Sequence, residues 1–296
     1  MRLSTSTRIC ESVLWDKKHL YYDLGDTVRK IALAGYDSVD LFFPSYCEKG
    51  DKILASDRWE SFAEKALDIA QSNNVVFSQS HGFFYPPFKA YEIADEWHET
   101  LICRTIITAG KMGIPVVVLH PFFSADDGIK GKSLKLNIEK FSRYGEIAYS
   151  AGTRIAIENI FGNPNRLHRF GASFEDLIEL LEHLDDECFG ICWDTGHGHL
   201  CGFDQRVAIK AIGRHLIATH IADNDGKTDL HTAPFLGRID WINVVSSLKE
   251  IGYSSDFSFE IPNFTVGFDA SFKDEALLFS KKIGEYLLAL DGFHER

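Results

Sequence analysis

Short apolar runs alternate with longer stretches of helical periodicity along almost the whole chain. The short runs are rich in β-branched and aromatic residues, which favours strands over helices at this length. The first of them is the weakest candidate. The eight predicted strands are "RLSTST" (Arg2–Thr7), "SVDLFF" (Ser38–Phe43), "NVVFSQS" (Asn74–Ser80), "PVVVLH" (Pro115–His120), "RIAIEN" (Arg154–Asn159), "FGICWD" (Phe189–Asp194), "LIATHI" (Leu216–Ile221) and "DFSFEI" (Asp256–Ile261).

The stretches between these runs carry the pattern of amphipathic helices. "DRWESFAEKALDIAQSNN" and "NIEKFSRYGEIAYSAG" place apolar residues at i, i+3 and i+4 and end in Asn or Gly, as helices commonly do. "GASFEDLIELLEHL" adds a start signal, because Ser173 precedes Glu175 and Asp176 and can cap a helix whose first turn is acidic. Strand and helix therefore alternate about eight times.

This alternation predicts an α/β fold with parallel strands joined by right-handed crossovers. The chain has 296 residues, which suits a single-domain (β/α)8 TIM barrel spanning residues 1–296. The alternative is an open doubly wound sheet, which typically carries a GxGxxG turn after its first strand. The first strand region contains no glycine, so the barrel is favoured.

The composition of the chain indicates which kinds of partner and which cellular compartment to expect. The formal net charge is −12, which opposes binding to a phosphate backbone, so no nucleic acid partner is expected. The six cysteines form no CxxC pair, which argues against a zinc knuckle and favours a reducing, cytoplasmic setting. The N-terminal stretch lacks the apolar core of a signal peptide, and no apolar run approaches the roughly 18 residues of a membrane span.

Polar residues collect at the carboxyl ends of the predicted strands. Six successive strands, from the third to the eighth, end in Asp, Glu or His; the residues are His81, His120, Glu158, Asp194 with His197 beyond it, His220 and Glu260. These ends meet at one mouth in a parallel barrel. The apolar flanks imply burial, and buried carboxylates need a counter-charge. No Lys or Arg occurs at these strand ends in the sequence, so the pattern predicts a divalent cation as the counter-charge.

Alternation within the strands predicts which of these residues face the barrel axis. In "DFSFEI", Phe257 and Phe259 share one face while Ser258 and Glu260 share the other. Helices cover the outside of a barrel, so the phenylalanines should point outward and Glu260 inward. The same argument applied to "RIAIEN" and "LIATHI" directs Glu158 and His220 inward.

Five segments carry a resemblance to a known family: "AGYDSVDLF", "IAIENIFG", "ICWDTGHGHL", "THIADNDGKTDLHTAPFLGRIDW" and "FSFEIPN". Through them nearly the whole chain resembles the xylose isomerase-like barrels, a superfamily of sugar (phosphate) isomerases and epimerases that includes endonuclease IV. The resemblance implies that Glu158, Asp194, His220 and Glu260 bind one catalytic divalent metal, and that His197 contacts substrate or a further metal. In the ketose 3-epimerase branch the two glutamates also form the acid/base pair.

That resemblance implies isomerisation or epimerisation of a sugar, sugar phosphate or related polyol through an enediolate. Oxygen and nitrogen ligands without cysteine suit Mn, Zn or Co, with Mg as a further option. The residues expected to bind the carbohydrate substrate are His81, His120, His197, Asp229, His231 and Arg238. Strand-exit aromatic residues either pack against a sugar or fill the rim; they are Phe83, Phe84, Tyr85, Phe122, Phe123, Phe161 and Trp193.

Alternative functions stay open on the same scaffold. Every position of an endonuclease IV-like three-zinc site is filled, which allows a zinc phosphodiesterase acting on abasic DNA, although the net charge and the absence of a basic aromatic loop oppose it. A dehydratase of a sugar-like acid is another option. The ketose 3-epimerases carry another Glu several residues after the position of Glu158. The segment that follows Glu158 here, "NIFGNPNR", contains no acidic residue, which argues against that specific branch. Arg166, Arg169 and Lys227, like Arg238, either bind an anionic group or are surface charges, and a homo-oligomer is also allowed.

Overall fold

The computed structural model of the chain describes residues 1–48, 52–85, 95–124, 130–162 and 169–290. Eight parallel strands form one sheet; they are β1 (Arg2–Ser6), β2 (Ser38–Phe42), β3 (Val76–His81), β4 (Val116–Leu119), β5 (Arg154–Glu158), β6 (Phe189–Asp194), β7 (Leu216–His220) and β8 (Asp256–Phe259). Their order in the sheet is β8-β1-β2-β3-β4-β5-β6-β7. All eight predicted strands are present, and the predicted TIM barrel is confirmed.

The barrel closes between β7 and β8, immediately beside two of the predicted site residues. Ile221 and Phe259 form a parallel bridge. The N–H of Ile221 donates to the carbonyl of Ser258 at 2.8 Å, and the N–H of Glu260 donates to the carbonyl of Ile221 at 3.1 Å. The backbone hydrogen bonds that close the sheet therefore also fix the strand ends that carry His220 and Glu260.

The bounds of β6 are as predicted, and each of the other strands differs from its predicted bounds by one or two residues at one end or both. β3 begins at Val76 rather than Asn74, because Asn74 has a positive φ of 54° and belongs to the preceding turn. A two-stranded antiparallel hairpin, Ser12–Val13 with His19–Leu20, lies between β1 and the first helix and was not predicted. Its strands are two residues long, which is too short for an alternating pattern to be detected.

Helices separate the strands along the chain and cover the outside of the sheet. In the described part of the chain they are α1 (Leu24–Leu33), α2 (Pro44–Glu48), α3 (Phe62–Ser72), α4 (Glu96–Lys111), α5 (Lys130–Ala151), α6 (Phe174–Leu181), α7 (Thr195–Leu200), α8 (Gln205–Ile212), α9 (Trp241–Glu250) and α10 (Lys273–Ala289). The predicted cap of α6 is formed, since Ser173 Oγ accepts from the N–H of Asp176 at 3.2 Å. Within the described ranges, no helix combines the length and apolarity that crossing a membrane requires.

Two separate apolar clusters show which strand residues face which way. The large cluster between sheet and helices contains Ile155, Ile157, Phe257 and Phe259. A small second cluster, inside the barrel, consists of Val118, Ala156, Cys192 and Ala218. The strand alternation thus runs as predicted. Because the interior cluster is built from small side chains, the barrel leaves room at its mouth for polar groups.

Gly110 on α4 marks a close approach of α4 to the end of α5. A Cβ at Gly110 would lie 2.6 Å from the Cβ of Ala151 and would also collide with the Ala151 backbone carbonyl. We predict that Gly110→Ala lowers the free energy of unfolding by about 1–3 kcal/mol, because backbone cannot move aside as a side chain can. Urea denaturation would measure the change.

Gly131 provides the matched control within α5. A Cβ there meets nothing within 4 Å, so Gly131→Ala should raise the free energy of unfolding by up to about 1 kcal/mol through helix propensity alone. Equal effects of the two substitutions would show that the contact at Ala151 does not restrict the residue at position 110.

Candidate metal centre and active site

Four side chains converge where β5, β6, β7 and β8 end. Each of Glu158, Asp194, His220 and Glu260 offers a ligand atom, and these atoms all lie within 4.8 Å of one another. All four residues are buried, with Glu260 the most accessible at 3%. Three are the last residues of their strands and Glu260 follows β8 directly. The mouth of the barrel therefore concentrates three carboxylates around one imidazole; we call this set the quartet.

His220 faces both glutamates of the quartet through the same ring nitrogen. Its Nδ1 is 2.8 Å from Glu158 Oε1 and 3.5 Å from Glu260 Oε2. Its Nε2 is 3.2 Å from Asp40 Oδ2. Such a carboxylate behind an imidazole is the usual device for orienting a histidine that binds a metal.

Asp40 is a site residue that sequence reasoning missed. It is fully buried within β2, and its Oδ2 accepts from Gln79 Nε2 at 2.7 Å and from Ser258 Oγ at 3.0 Å. The signal was available in "SVDLFF", where an acid interrupts an otherwise apolar strand at a position facing the barrel interior. Asp40 holds the ring of His220 from below and is itself held by two neutral donors.

His81 and His120 converge on the second oxygen of Glu158. Their Nε2 atoms lie 3.3 Å and 3.1 Å from Glu158 Oε2, and 3.2 Å from each other. His81 Nδ1 lies 2.9 Å from the carbonyl of Gly82 and donates its proton there, since a carbonyl can only accept. A neutral His81 then presents a lone pair on Nε2 to the carboxylate. A cation shared between these atoms would relieve that conflict.

A further cluster, formed by His197, Asp229 and His231, lies beside the quartet. Its three ligand atoms also fall within 4.8 Å of one another. Asp229 Oδ2 is 3.1 Å from His231 Nε2 and 3.8 Å from His197 Nε2. Nδ1 of His197 donates to the carbonyl of Asn159 at 2.8 Å, and Nδ1 of His231 donates to the carbonyl of Glu260 at 3.0 Å. Both rings therefore direct Nε2 toward Asp229; we call this set the rim cluster.

The segment that carries Asp229 and His231 is organised by a buried carboxylate, Asp223. Its oxygens accept from the N–H groups of Phe235 and Ile239 at 3.0 and 3.1 Å and from Trp241 Nε1 at 2.9 Å. Asp223 was not identified from the sequence. These three donors lie 12 to 18 residues further along the chain, so no local spacing reveals their contacts.

The expectation that no Lys or Arg lies at the ends of the third to eighth strands overlooked a cation that follows the first strand. Arg8 follows β1, and its Nη1 donates to Glu260 Oε1 at 3.1 Å. The guanidinium also lies over the ring of Phe42, 4.6 Å from its centroid. Arg8 partly balances one glutamate of the quartet. It leaves Glu158 and Asp194 without such a partner among the described residues.

The ligand atoms of the quartet suit a divalent cation, because two of its buried carboxylate oxygens have no hydrogen-bond donor among the described residues. Asp194 Oδ2 is buried and accepts no hydrogen bond from the described residues, and the same holds for Glu158 Oε2. Buried carboxylate oxygens without donors are strongly unfavourable unless a cation balances them. Mixed oxygen and imidazole ligands without cysteine suit the harder and intermediate divalent ions.

Burial and mutual charge shift the pKa values of the quartet and its neighbours. Burial raises the pKa of Asp194 to about 6 and lowers the pKa of His120 to about 4. Burial opposes the charged form of His220, yet its anionic neighbours, including Glu158 and Glu260, hold its pKa well above the usual value. Without metal, His220 is therefore protonated at neutral pH.

Aromatic side chains surround part of this site. A small cavity of about 20 Å³ is lined by His120 and Arg169 together with Phe83, Phe84, Tyr85, Phe122 and Phe123. The ring centroid of Phe161 lies 5.3 Å from that of His197.

The expectation that Trp193 contacts a sugar or fills the rim is wrong, because this residue is fully buried on the outer face of β6 and packs against Phe174 and Phe203. The parity of β6, with Asp194 inward, already implied this outward direction.

The basic residues that the sequence suggested for anion binding are either exposed or in contact with groups outside the quartet. Arg238 and Lys227 are exposed. Arg169 Nη1 donates to the carbonyl of Phe161 at 3.0 Å, and its guanidinium covers the ring of Phe123. Arg166 lies outside the described residues. The role of Arg238 in binding substrate stays a prediction.

Comparison with known proteins places this geometry in context. The model of the family described as "xylose isomerase-like TIM barrel" matches residues 28–282. The chain is 28% identical over 58% of its length to "Probable endonuclease 4" of Acholeplasma laidlawii, covering 53% of that protein. It is 27% identical over 77% of its length to "Inosose isomerase" of Bacillus velezensis, covering 79%. The chain spans about half the length of most of the curated relatives it matches.

A solved structure described as a "D-tagatose 3-epimerase-like protein" superimposes with a TM-score of 0.73. The two sequences are 22% identical, and the match covers 97% of each chain. At this identity the similarity establishes the fold.

Metal affinity should depend steeply on pH, because metal and protons compete for the quartet. His220 must lose its proton before Nδ1 can bind a cation, and below about pH 6 Asp194 must lose one too. We predict that the association constant for Mn²⁺ or Zn²⁺ rises with pH, by about tenfold per unit near neutrality and more steeply below pH 6. Calorimetry in two buffers with different ionisation enthalpies would count the released protons.

The exposed His183 provides the control for this measurement. His183→Gln should leave both affinity and proton release unchanged, because His183 lies at the end of α6 on the surface. A metal affinity that is constant between pH 5 and pH 8 would contradict the assignment of His220 as a ligand.

Proposed function

Since the chain belongs to the xylose isomerase-like TIM barrel family, we propose that it is a divalent-metal-dependent isomerase or epimerase of a sugar, sugar phosphate or related polyol. The observation that carries the proposal is the quartet, in which two buried glutamates approach Nδ1 of one imidazole at the mouth of the barrel. The similarity to proteins named inosose isomerase supports the same reaction class.

Glu158, Asp194, His220 and Glu260 would hold the metal, and Mn, Zn or Co suits this donor set, with Mg as a further option. When bound, such an ion supplies Lewis acidity toward a carbonyl and its neighbouring hydroxyl. The remaining requirement is a base that removes the proton next to the carbonyl and an acid that returns one.

The two glutamates meet that requirement in our proposal. Glu158 Oε1 and Glu260 Oε2 lie 2.8 Å and 3.5 Å from the same atom, Nδ1 of His220, so two carboxylates face one point at the mouth of the barrel. One carboxylate can remove the proton of the substrate carbon while the other returns a proton to the opposite face. Arg8 holds Glu260 Oε1, which leaves Oε2 as the oxygen directed to the centre of the quartet.

The histidines around the quartet would bind substrate hydroxyl groups. His81 and His197 commit Nδ1 to main-chain carbonyls and direct Nε2 into the site. When neutral, His81 accepts a hydroxyl proton through Nε2. Burial opposes charge on His197, but Asp194 and Asp229 hold its pKa well above the usual value, so His197 is protonated and donates through Nε2. Asp229 and His231 shape the rim, and Arg238 would reach a distal anionic group. We propose a cytoplasmic enzyme with a small carbohydrate substrate and no nucleic acid or membrane partner.

We predict that Glu158→Gln and Glu260→Gln each reduce turnover by about a thousandfold or more. A panel of ketoses, aldoses, inososes and their phosphates in deuterium oxide would report turnover, because proton return from solvent leaves deuterium at the reacting carbon. The exposed Glu250→Gln is the control and should retain full activity. Metal content must be measured in each variant, since both glutamates are proposed ligands.

Wild-type turnover without deuterium incorporation would exclude proton transfer between substrate and solvent through the glutamates. Loss of water from the substrate in the same assay would identify a dehydratase of a sugar-like acid. Retained turnover in Glu158→Gln or Glu260→Gln would remove that residue from the acid/base role.

A zinc phosphodiesterase acting on abasic DNA is the second candidate, and a specific observation favours it. Beyond the quartet, His81 and His120 meet at Glu158, and the rim cluster forms another set of potential ligands. Three of these histidines bind main-chain carbonyls through Nδ1, the arrangement expected of metal ligands. The relatives named endonuclease 4 are consistent with this alternative.

Metal analysis distinguishes the two candidates. We predict close to one ion per chain in protein purified without chelator, and no change in that number for Asp229→Asn. Close to three ions, with loss of one in Asp229→Asn and cleavage of abasic DNA by the wild type, would overturn the isomerase proposal. Elemental analysis by mass spectrometry and a nicking assay provide the two measurements.

A further inference from the structure

Asn159 follows Glu158 directly and is fully buried between the ends of β5 and β6. Its Oδ1 accepts from the main-chain N–H of Asp194 at 2.6 Å, and its Nδ2 donates to the main-chain carbonyl of Asp194 at 3.0 Å. A side-chain amide offers an acceptor and a donor next to each other, as a peptide group does. The side chain of Asn159 therefore binds the backbone of Asp194 as a neighbouring strand would.

These two hydrogen bonds replace strand pairing that has already ended. The last residue of β5, Glu158, pairs with Cys192, whereas β6 continues two residues further to Asp194. The carbonyl of Cys192 accepts from the N–H of Asn159 at 3.3 Å, so the main-chain groups of Cys192 face β5. Because the main chain of a strand repeats its direction every second residue, those of Asp194 face β5 too. They are buried, and the amide of Asn159 satisfies both.

The other contacts of Asp194 leave one of its oxygens for a cation. On the side away from β5, Asp194 pairs with His220 of β7 in the sheet. Its Oδ1 accepts from the N–H of His197 at 2.6 Å and so caps the start of α7. Its Oδ2 has no hydrogen-bond partner among the described residues. With its backbone and Oδ1 held in this way, Asp194 offers Oδ2 to the quartet from a fixed position.

We propose that Asn159 is a positioning residue of the metal centre, which fixes the separation of Glu158 and Asp194 and thereby raises the affinity of the quartet for a divalent cation. One peptide bond joins Asn159 to Glu158, and its amide joins it to Asp194, so a single residue couples ligands of two strands. The inference rests on the proposed metal at the quartet. Removing a partner that orients metal ligands typically weakens metal binding by about 10- to 100-fold.

A second buried asparagine makes the same pair of contacts at another strand end. Asn137 on α5 is fully buried; its Oδ1 accepts from the N–H of Phe122 at 2.8 Å, and its Nδ2 donates to the carbonyl of Phe122 at 2.7 Å. Its Nδ2 also donates to the carbonyl of Ser133 at 2.8 Å. Phe122 follows β4, which carries no residue of the quartet. Asn137 is therefore a matched control for Asn159, with at least as many hydrogen bonds to lose.

Calorimetric titration of the chelator-treated 296-residue chain with Mn²⁺ and with Zn²⁺ tests the proposal. We expect Asn159→Ala to weaken the association constant by about tenfold or more, and Asn137→Ala to change it by less than about threefold. Both variants should melt at a lower temperature than the wild type, because each leaves a buried main-chain N–H and carbonyl without their partner. Circular dichroism at the temperature of the titration confirms that each variant is folded.

Asn159→Ser is a milder second variant for the case in which Asn159→Ala does not fold. One hydroxyl group can replace at most one of the two contacts with the backbone of Asp194 at full strength. The affinity of this variant for both ions should therefore lie between those of the wild type and Asn159→Ala. Metal binding is measured without turnover, so the result is the same whichever reaction the barrel catalyses.

Three results would overturn the inference, and they differ in what they leave standing. Variants of Asn159 that bind both ions as tightly as the wild type would remove Asn159 from the metal centre while leaving the centre itself in place. Equal losses of affinity in Asn159→Ala and Asn137→Ala would show that affinity follows general stability and not the position of Asp194. A wild type that binds neither ion would remove the proposed metal centre together with the role of Asn159.

Discussion

The confinement of three carboxylates around one imidazole is the constraint on which the rest of the site depends. Two carboxylates about 4 Å apart repel by about 4 kcal/mol at the effective dielectric constant of a protein. The quartet contains Glu158, Asp194 and Glu260 within 4.8 Å, all buried. A proton on His220 and the guanidinium of Arg8 offset part of this repulsion. The repulsion that remains between the carboxylates explains why the mouth of this barrel is suited to a divalent cation.

The precision of the quartet comes from a second layer of side chains deeper in the barrel. Asp40 holds the far nitrogen of His220 and is held in turn by Gln79 and Ser258. These contacts join strands β2, β3, β7 and β8, so the ring of His220 is fixed by the barrel and not by its own strand alone. Asp223 does the same for the rim, where it gathers the N–H groups of the segment that presents Asp229 and His231.

Which features of the fold and the site could be predicted depends on how far apart along the chain the interacting residues lie. Strand positions and the inward direction of Glu158 and Glu260 follow from a period of two, which is a local property, and the ligand quartet follows from a family resemblance. Arg8 could not be assigned in this way. Its contact with Glu260 joins residues 252 positions apart and exists only because β8 lies beside β1 in the barrel. Trp193 was misassigned although the local pattern pointed outward, because aromatic character was weighed above parity.

The two candidate functions differ in which cations balance the same side chains. In the rim cluster, burial opposes charge on His231, but Asp229 and Glu260 raise its pKa to about 9, so without metal its Nε2 carries a proton. A protonated rim would donate hydrogen bonds to the hydroxyl groups of a sugar. Metal ions at the same nitrogens would convert the rim into a binding site for phosphate oxygens. The barrel fixes the positions of the nitrogens and oxygens equally well for both, so competition between protons and metal ions at the rim determines which chemistry the site supports.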